Sequence, residues 1–127
     1  MAAITVTNAG LNALRDSISG TLANPKAMYV AIGTSNTAPS VNDIKLGNEV
    51  FRKAVSSFST TGTAGQILIN VYLAPGDSVG TAVAEVGFFI GPAATTTKDS
   101  GVLLARGLYS KTLVATESVQ LQLDLTL

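Results

Sequence analysis

The segment Ser118-Val-Gln-Leu-Gln-Leu-Asp-Leu-Thr-Leu127 constrains the fold more than any other. Val119, Leu121, Leu123, Leu125 and Leu127 alternate strictly with Ser118, Gln120, Gln122, Asp124 and Thr126. A period of two sets these apolar residues on one face of an extended chain, whereas a helix would scatter them around its circumference. Leucine favours helices by propensity, so here pattern decides against propensity. The segment predicts a strand with one buried and one wet face.

The same period recurs upstream. Met28, Val30 and Ile32 alternate with Tyr29 and Ala31 before Gly33, and Ile67, Ile69, Val71 and Leu73 define one face of Gln66–Leu73. Val50–Phe58 places Phe51 and Val55 on one face, Arg52 and Ala54 on the other. Further strands are expected over Val83–Ile90 and Val102–Leu108, with turn signals at 60–65 and at Pro75-Gly76-Asp77. A single helix interrupts the pattern near the start. Asn8 is a suitable N-cap, Leu11, Leu14 and Ile18 share one helical face, and Gly20 stands where a C-terminal stop belongs. The chain thus reads as a single β-rich domain, 1–127: an antiparallel β-sandwich with one short N-terminal α-helix (about 8–19) and strands from about 27 to 127.

Charged residues make up 13% of the chain, about half the usual share for a soluble domain, and eight basic residues balance eight acidic ones. A balanced charge gives no global field for nucleic acid or anionic lipid, so neither is expected as a partner. The longest weakly polar run, Ala82–Ala94, contains Glu85 and is broken by Gly91-Pro92, which argues against a membrane span. Met1–Thr7 carries no basic flank and no long apolar stretch, so no signal peptide is expected. An apolar, charge-poor chain with no membrane segment points to coverage of part of its surface by other chains, hence a homo-oligomer or a larger assembly, the alternative being a monomer with a Thr/Ser-rich surface.

Histidine, cysteine and tryptophan are absent. Common nucleophile–base pairs, disulfides and thiolate metal sites are therefore unavailable. Phosphate-binding glycine loops and calcium-loop spacing are missing as well. Glu49 and Glu85 are the only notional pair for carboxylate chemistry, and nothing in their surroundings supports that use. Arg52-Lys53 is the one basic pair. Neither an enzyme nor a cofactor is expected.

Glu85 nevertheless demands an explanation, because Ala84-Glu-Val-Gly-Phe-Phe-Ile90 is otherwise apolar. A buried carboxylate without a partner costs several kcal/mol, on the order of the penalty for an unpaired ion. Arg106 presents the same anomaly within Leu103-Leu-Ala-Arg-Gly-Leu-Tyr109. If the two strands are neighbours, Glu85 and Arg106 form a structural ion pair, with Arg52 as the competing partner. Gly87 and Gly107, close to these charges, suit a close backbone approach or a bulge.

Five motifs occur in order: "TNAGL" at Thr7–Leu11, "YVAIGTSNTAP" at Tyr29–Pro39, "LGNEVFRKAV" at Leu46–Val55, "AEVGFF" at Ala84–Phe89 and "GVLLARG" at Gly101–Gly107. Together they resemble the N-terminal domain of tailed-bacteriophage tail-collar fibre proteins, in a stand-alone version, from about residue 4 to 110. The resemblance implies a structural protein of the virion, with other tail or capsid subunits as partners. It departs from the fibre proteins in having no shaft or tip pattern after the motifs. A tail-fibre-like attachment or adaptor module and a capsid cement protein binding across neighbouring subunits are both open, and a host-surface-degrading enzyme is disfavoured.

Candidate assembly contacts lie in the polar, charge-poor loops 34–48 and 91–101, namely Thr34, Asn36, Pro39, Thr95, Thr96 and Thr97. Ile4 and Val6 are further candidates, for a strand added to a neighbour's sheet.

Overall fold

A computed structural model describes residues 4–20, 27–60, 62–76, 80–114 and 116–126, without the side chains of residues 27, 28 and 123. Met1, Thr61, Asp77 and Leu127, and the side chains of Met28 and Leu123, figure in the sequence reading but lie outside the described residues.

Among the described residues, eight strands and one helix follow in the order β1 (Ile4–Val6), α1 (Asn8–Ile18), β2 (Ala27–Gly33), β3 (Glu49–Ala54), β4 (Ser57–Thr60), β5 (Gln66–Leu73), β6 (Ala82–Ile90), β7 (Val102–Thr112) and β8 (Val119–Thr126). They form two antiparallel sheets, one of five strands ordered β1-β7-β6-β2-β3 and one of three ordered β4-β5-β8. The fold is mainly β, a sandwich of two antiparallel sheets with one short N-terminal helix.

The inner faces meet as the alternation requires. Val30, Ile32, Val86 and Phe88 of the larger sheet pack with Ile69, Val71, Leu121 and Leu125 of the smaller one, and Ala13 closes the cluster from α1. Leu121 and Leu125 are buried while Gln120, Gln122, Asp124 and Thr126 are exposed, the two-faced strand that the alternation predicts.

Three expectations need correction. The segment Val50–Phe58 is not one strand: β3 and β4 belong to different sheets, and the break at Val55-Ser56 carries the chain from one to the other. Thr7, not Asn8, caps α1. Its buried Oγ1 accepts from the Gly10 N–H at 2.9 Å and donates to the Leu103 carbonyl at 2.6 Å, tying helix to β7. The helix also buries a different face from the one that Leu11, Leu14 and Ile18 suggest. Gly10 and Ala13 are buried, Leu14 is half-buried, and Leu11 and Ile18 are exposed, Ile18 to 90%. The reason is steric. A Cβ at residue 10 would lie 2.6 Å from the Leu104 carbonyl oxygen, so Gly10 lets the helix backbone approach β7 more closely than a leucine face would permit. Gly20 ends the helix as expected, at φ +83° with its N–H donating to the Ser17 carbonyl.

Ile4 and Val6 pair within their own chain, opposite Gly107 and Ala105 of β7. No helix among the described residues is long and apolar enough to cross a membrane.

Candidate functional site: two buried ion pairs beneath two loops

The outer face of the five-stranded sheet is where the buried charges lie. Along β6, Val86, Phe88 and Ile90 face the inner core, so Glu85, Gly87 and Phe89 face outward, yet all six are buried. Loops 34–48 and 91–101 cover them. Leu46 from the first and Ala94 from the second complete a small apolar cluster with Ala31, Phe89 and Leu103. A sheet covered on both faces reads as a continuous apolar run, which accounts for the Ala84–Ile90 segment. Gly87 leaves room for this cover, since a Cβ there would lie 2.7 Å from Leu46 Cδ2.

Glu85 is fully buried and both its oxygens are saturated. Oε1 accepts from the Gly47 N–H at 2.8 Å and from Arg106 Nε at 2.9 Å. Oε2 accepts from the Ser35 N–H at 3.0 Å and the Asn48 N–H at 2.8 Å. Burial alone would push this carboxyl up. The N–H groups of Asn48 and Gly47, the Arg106 guanidinium and the Ser35 N–H outweigh it and hold the group below its ordinary value. Arg106, 2% exposed, extends the network into the same loop. Its Nη1 donates to Asp43 Oδ2 at 3.2 Å and its Nη2 to the Thr37 carbonyl at 2.9 Å. Gly33 makes the geometry possible, because a Cβ there would sit 2.5 Å from Glu85 Oε2 and 2.4 Å from the Asn48 carbonyl oxygen.

A second pair pins the other loop. Arg52 and Glu49, with side chains 3% and 2% exposed, form a two-pronged contact: Nε to Oε2 at 2.6 Å and Nη2 to Oε1 at 2.7 Å. Arg52 Nη1 donates to the carbonyls of Thr95 and Ser100 at 3.0 and 3.1 Å, and the Asp99 N–H donates to Glu49 Oε1 at 3.1 Å. The guanidinium carbon lies 4.4 Å from the centre of the Phe89 ring, a cation–π contact. Arg52 is thus engaged by Glu49, and Glu85 by Arg106. Gly33 is the register partner of both glutamates, so the two networks flank a single residue of β2.

Of the other candidates, Thr34 and Asn36 are exposed and Pro39 is half-buried on loop 34–48. Thr34 Oγ1 accepts from Asn48 Nδ2 at 2.7 Å. Thr95, Thr96 and Thr97 form the exposed rim of loop 91–101. Sequence reasoning did not find Ser35, Gly47 and Asn48, whose backbone amides leave no side-chain signal, nor Asp43. It also missed the pairing of Glu49 with Arg52. Residues three apart in a regular strand point to opposite faces. The register shift that places Glu49 opposite Gly33 and Phe51 opposite Ile32 leaves Val50 as an extra, bulged residue, which returns Glu49 to the face of Arg52.

Chemically, the arrangement holds charge in place: each carboxylate is filled by fixed donors. Among the described residues no group of three or more His, Cys, Asp or Glu side chains is placed to hold a metal ion. A scan against protein-family models finds no match to the chain, and a search of curated proteins finds none.

Proposed function

We propose that the protein is a non-enzymatic structural component of a tailed-bacteriophage virion, a small attachment or adaptor module that works through protein–protein contacts. One observation carries the reading: loop 34–48 is pinned from beneath by the Glu85–Arg106 network while it holds Ile44, 70% exposed, and Val41 out to solvent. Exposed apolar side chains on a pre-ordered loop suit a binding surface, because little conformational entropy is lost when a partner docks. The loop's polar, charge-poor character and the ordered motifs at Tyr29–Pro39 and Leu46–Val55 support the same reading.

The test is quantitative mass spectrometry of purified particles of a phage that encodes the chain. The protein is expected in the particle, and Ile44→Asp is expected to fold normally but to be lost from it. Copy number then separates the tail reading from a capsid cement protein, which would be present in far greater numbers. Absence of the wild-type chain from particles would overturn the proposal.

A further inference from the structure

Sheet edges invite unwanted pairing, and natural proteins blunt them by shortening, bulging or charging the edge strand. Among the described residues, three of the four sheet edges are treated in that way. Within the described residues β1 spans three residues and β4 four. β3 carries Arg52 and Lys53, is bulged at Val50 and is overlaid by loop 91–101.

Among the described residues β8 is the exception: β1 comes near it, but no strand is paired with its other edge. It pairs with β5 at eight successive positions without a register shift, and Val119–Thr126 contains no Pro, Gly, Lys or Arg. Its other edge borders a groove of about 380 Å³ lined by Tyr109, Gln120, Leu121, Gln122 and Asp124. Tyr109 comes from the far half of β7. Among the described residues, β1 pairs only with Ala105–Gly107 of that strand.

We propose that this edge pairs with β8 of a second copy of the chain, antiparallel across a two-fold axis at Gln122. The two three-stranded sheets then join into one. An eight-residue strand spans about 27 Å, long enough for a full ladder. The register follows from charge and pleat. With the axis at Gln122, each Asp124 faces Gln120 of the second copy, an amide that can donate to the carboxylate. Val119 faces Leu125 of the second copy on the inner side, so apolar and polar faces stay aligned. An axis at Asp124 would set two carboxylates opposite each other, which is unfavourable. The pairing is isologous and closes on itself, so it removes the open edge without building a filament. The virion reading is not needed for this inference: the dimer can form even if the chain is absent from particles.

The experiment uses the intact chain, by light scattering after size exclusion and by sedimentation velocity. The expected mass is twice that of the chain. The protein contains no cysteine, so Gln122→Cys introduces a single thiol, at an exposed position. Mild oxidation should cross-link this variant almost completely, while the loop control Thr96→Cys stays uncrosslinked. Gln122→Lys and Gln122→Glu should each weaken the dimer at least tenfold, and mixing the two should restore it. A chain that stays monomeric at all concentrations overturns the proposal and leaves the edge to a strand from another protein. A trimer overturns it equally, as does a dimer that is indifferent to Gln122→Lys and does not cross-link through Gln122→Cys.

Discussion

Arg106 lies opposite Gly87 in the β6–β7 ladder, and its guanidinium reaches Glu85, two residues along, to donate from Nε at 2.9 Å. Glu85 itself faces Leu108 in that register. The diagonal leaves the rest of the guanidinium free to turn outward to Asp43 and Thr37, and the rest of the carboxylate free to accept from Ser35, Gly47 and Asn48. One ion pair therefore fixes both ends of loop 34–48 to the sheet. The Glu49–Arg52 pair does the same for loop 91–101.

The two members of the first pair are not equivalent. Removing the carboxylate leaves three backbone N–H groups and Arg106 Nε without their acceptor, whereas removing Arg106 leaves Glu85 with its three backbone donors. Glu85→Gln keeps one acceptor oxygen but turns an amide NH₂ toward two groups that can only donate and removes the charge that answers Arg106, and it is expected to cost about 3–5 kcal/mol. Arg106→Leu is expected to cost about half as much. Urea unfolding at neutral pH measures both, and an Arg106→Leu variant as unstable as Glu85→Gln would show that the backbone donors matter little.

Acid should loosen the same site. The unfolded Glu85 carboxyl has an ordinary value of 4.5, and the folded one lies lower. In the window between the two, the unfolded state binds more protons, so stability rises with pH there. The contribution of Glu85 is complete above 4.5 and is lost as pH falls through the folded value. Urea midpoints followed from neutral pH down to about pH 3 should therefore fall less steeply in Glu85→Gln than in the wild type. Parallel curves for the two proteins would remove Glu85 as the source.

Arg52 tests the second loop. Lysine keeps the charge but cannot form the two-pronged contact with Glu49, nor lay a planar group over Phe89. Arg52→Lys is expected to destabilise the protein by about 2 kcal/mol. Hydrogen exchange should accelerate at the Asp99 N–H, which is held by Glu49, while the Ser35, Gly47 and Asn48 amides keep their protection. Equal acceleration in both loops would mean that the two networks are coupled rather than separate.

What could be read from the chain depended on the range of the interaction. The Val119–Thr126 pattern is local, and its faces are those that alternation requires. Glu85 and Arg106 stood out because each is a single charge in an apolar strand. Loop donors were invisible, since a backbone amide looks the same at every residue. Glu49 and Arg52 were hidden by a bulge that reverses strand parity, and the helix face was misjudged because apolar periodicity ranks Leu11 and Ile18 above Gly10. The close approach to Leu104 that decides the helix docking is tertiary and has no periodic signature.

That close approach gives the last prediction, in which two principles oppose each other. By helix propensity, Gly10→Ala should stabilise α1 by about 1 kcal/mol. By packing, the new methyl would lie 2.6 Å from the Leu104 carbonyl oxygen and 2.8 Å from Leu104 Cα, both backbone atoms that cannot rotate away. The helix would have to lift from β7. This would strain the Thr7 contact to the Leu103 carbonyl and the Asn8 N–H contact to the Val41 carbonyl at 2.7 Å. Overpacking of this kind costs about 1–3 kcal/mol, so the net change is expected to be destabilising. Asn12, exposed in the middle of the same helix, supplies the control: Asn12→Ala should gain about 0.5 kcal/mol through propensity alone. Thermal unfolding of the two variants decides between the principles, and a Gly10→Ala protein more stable than the wild type would show that the helix is free to shift on its sheet.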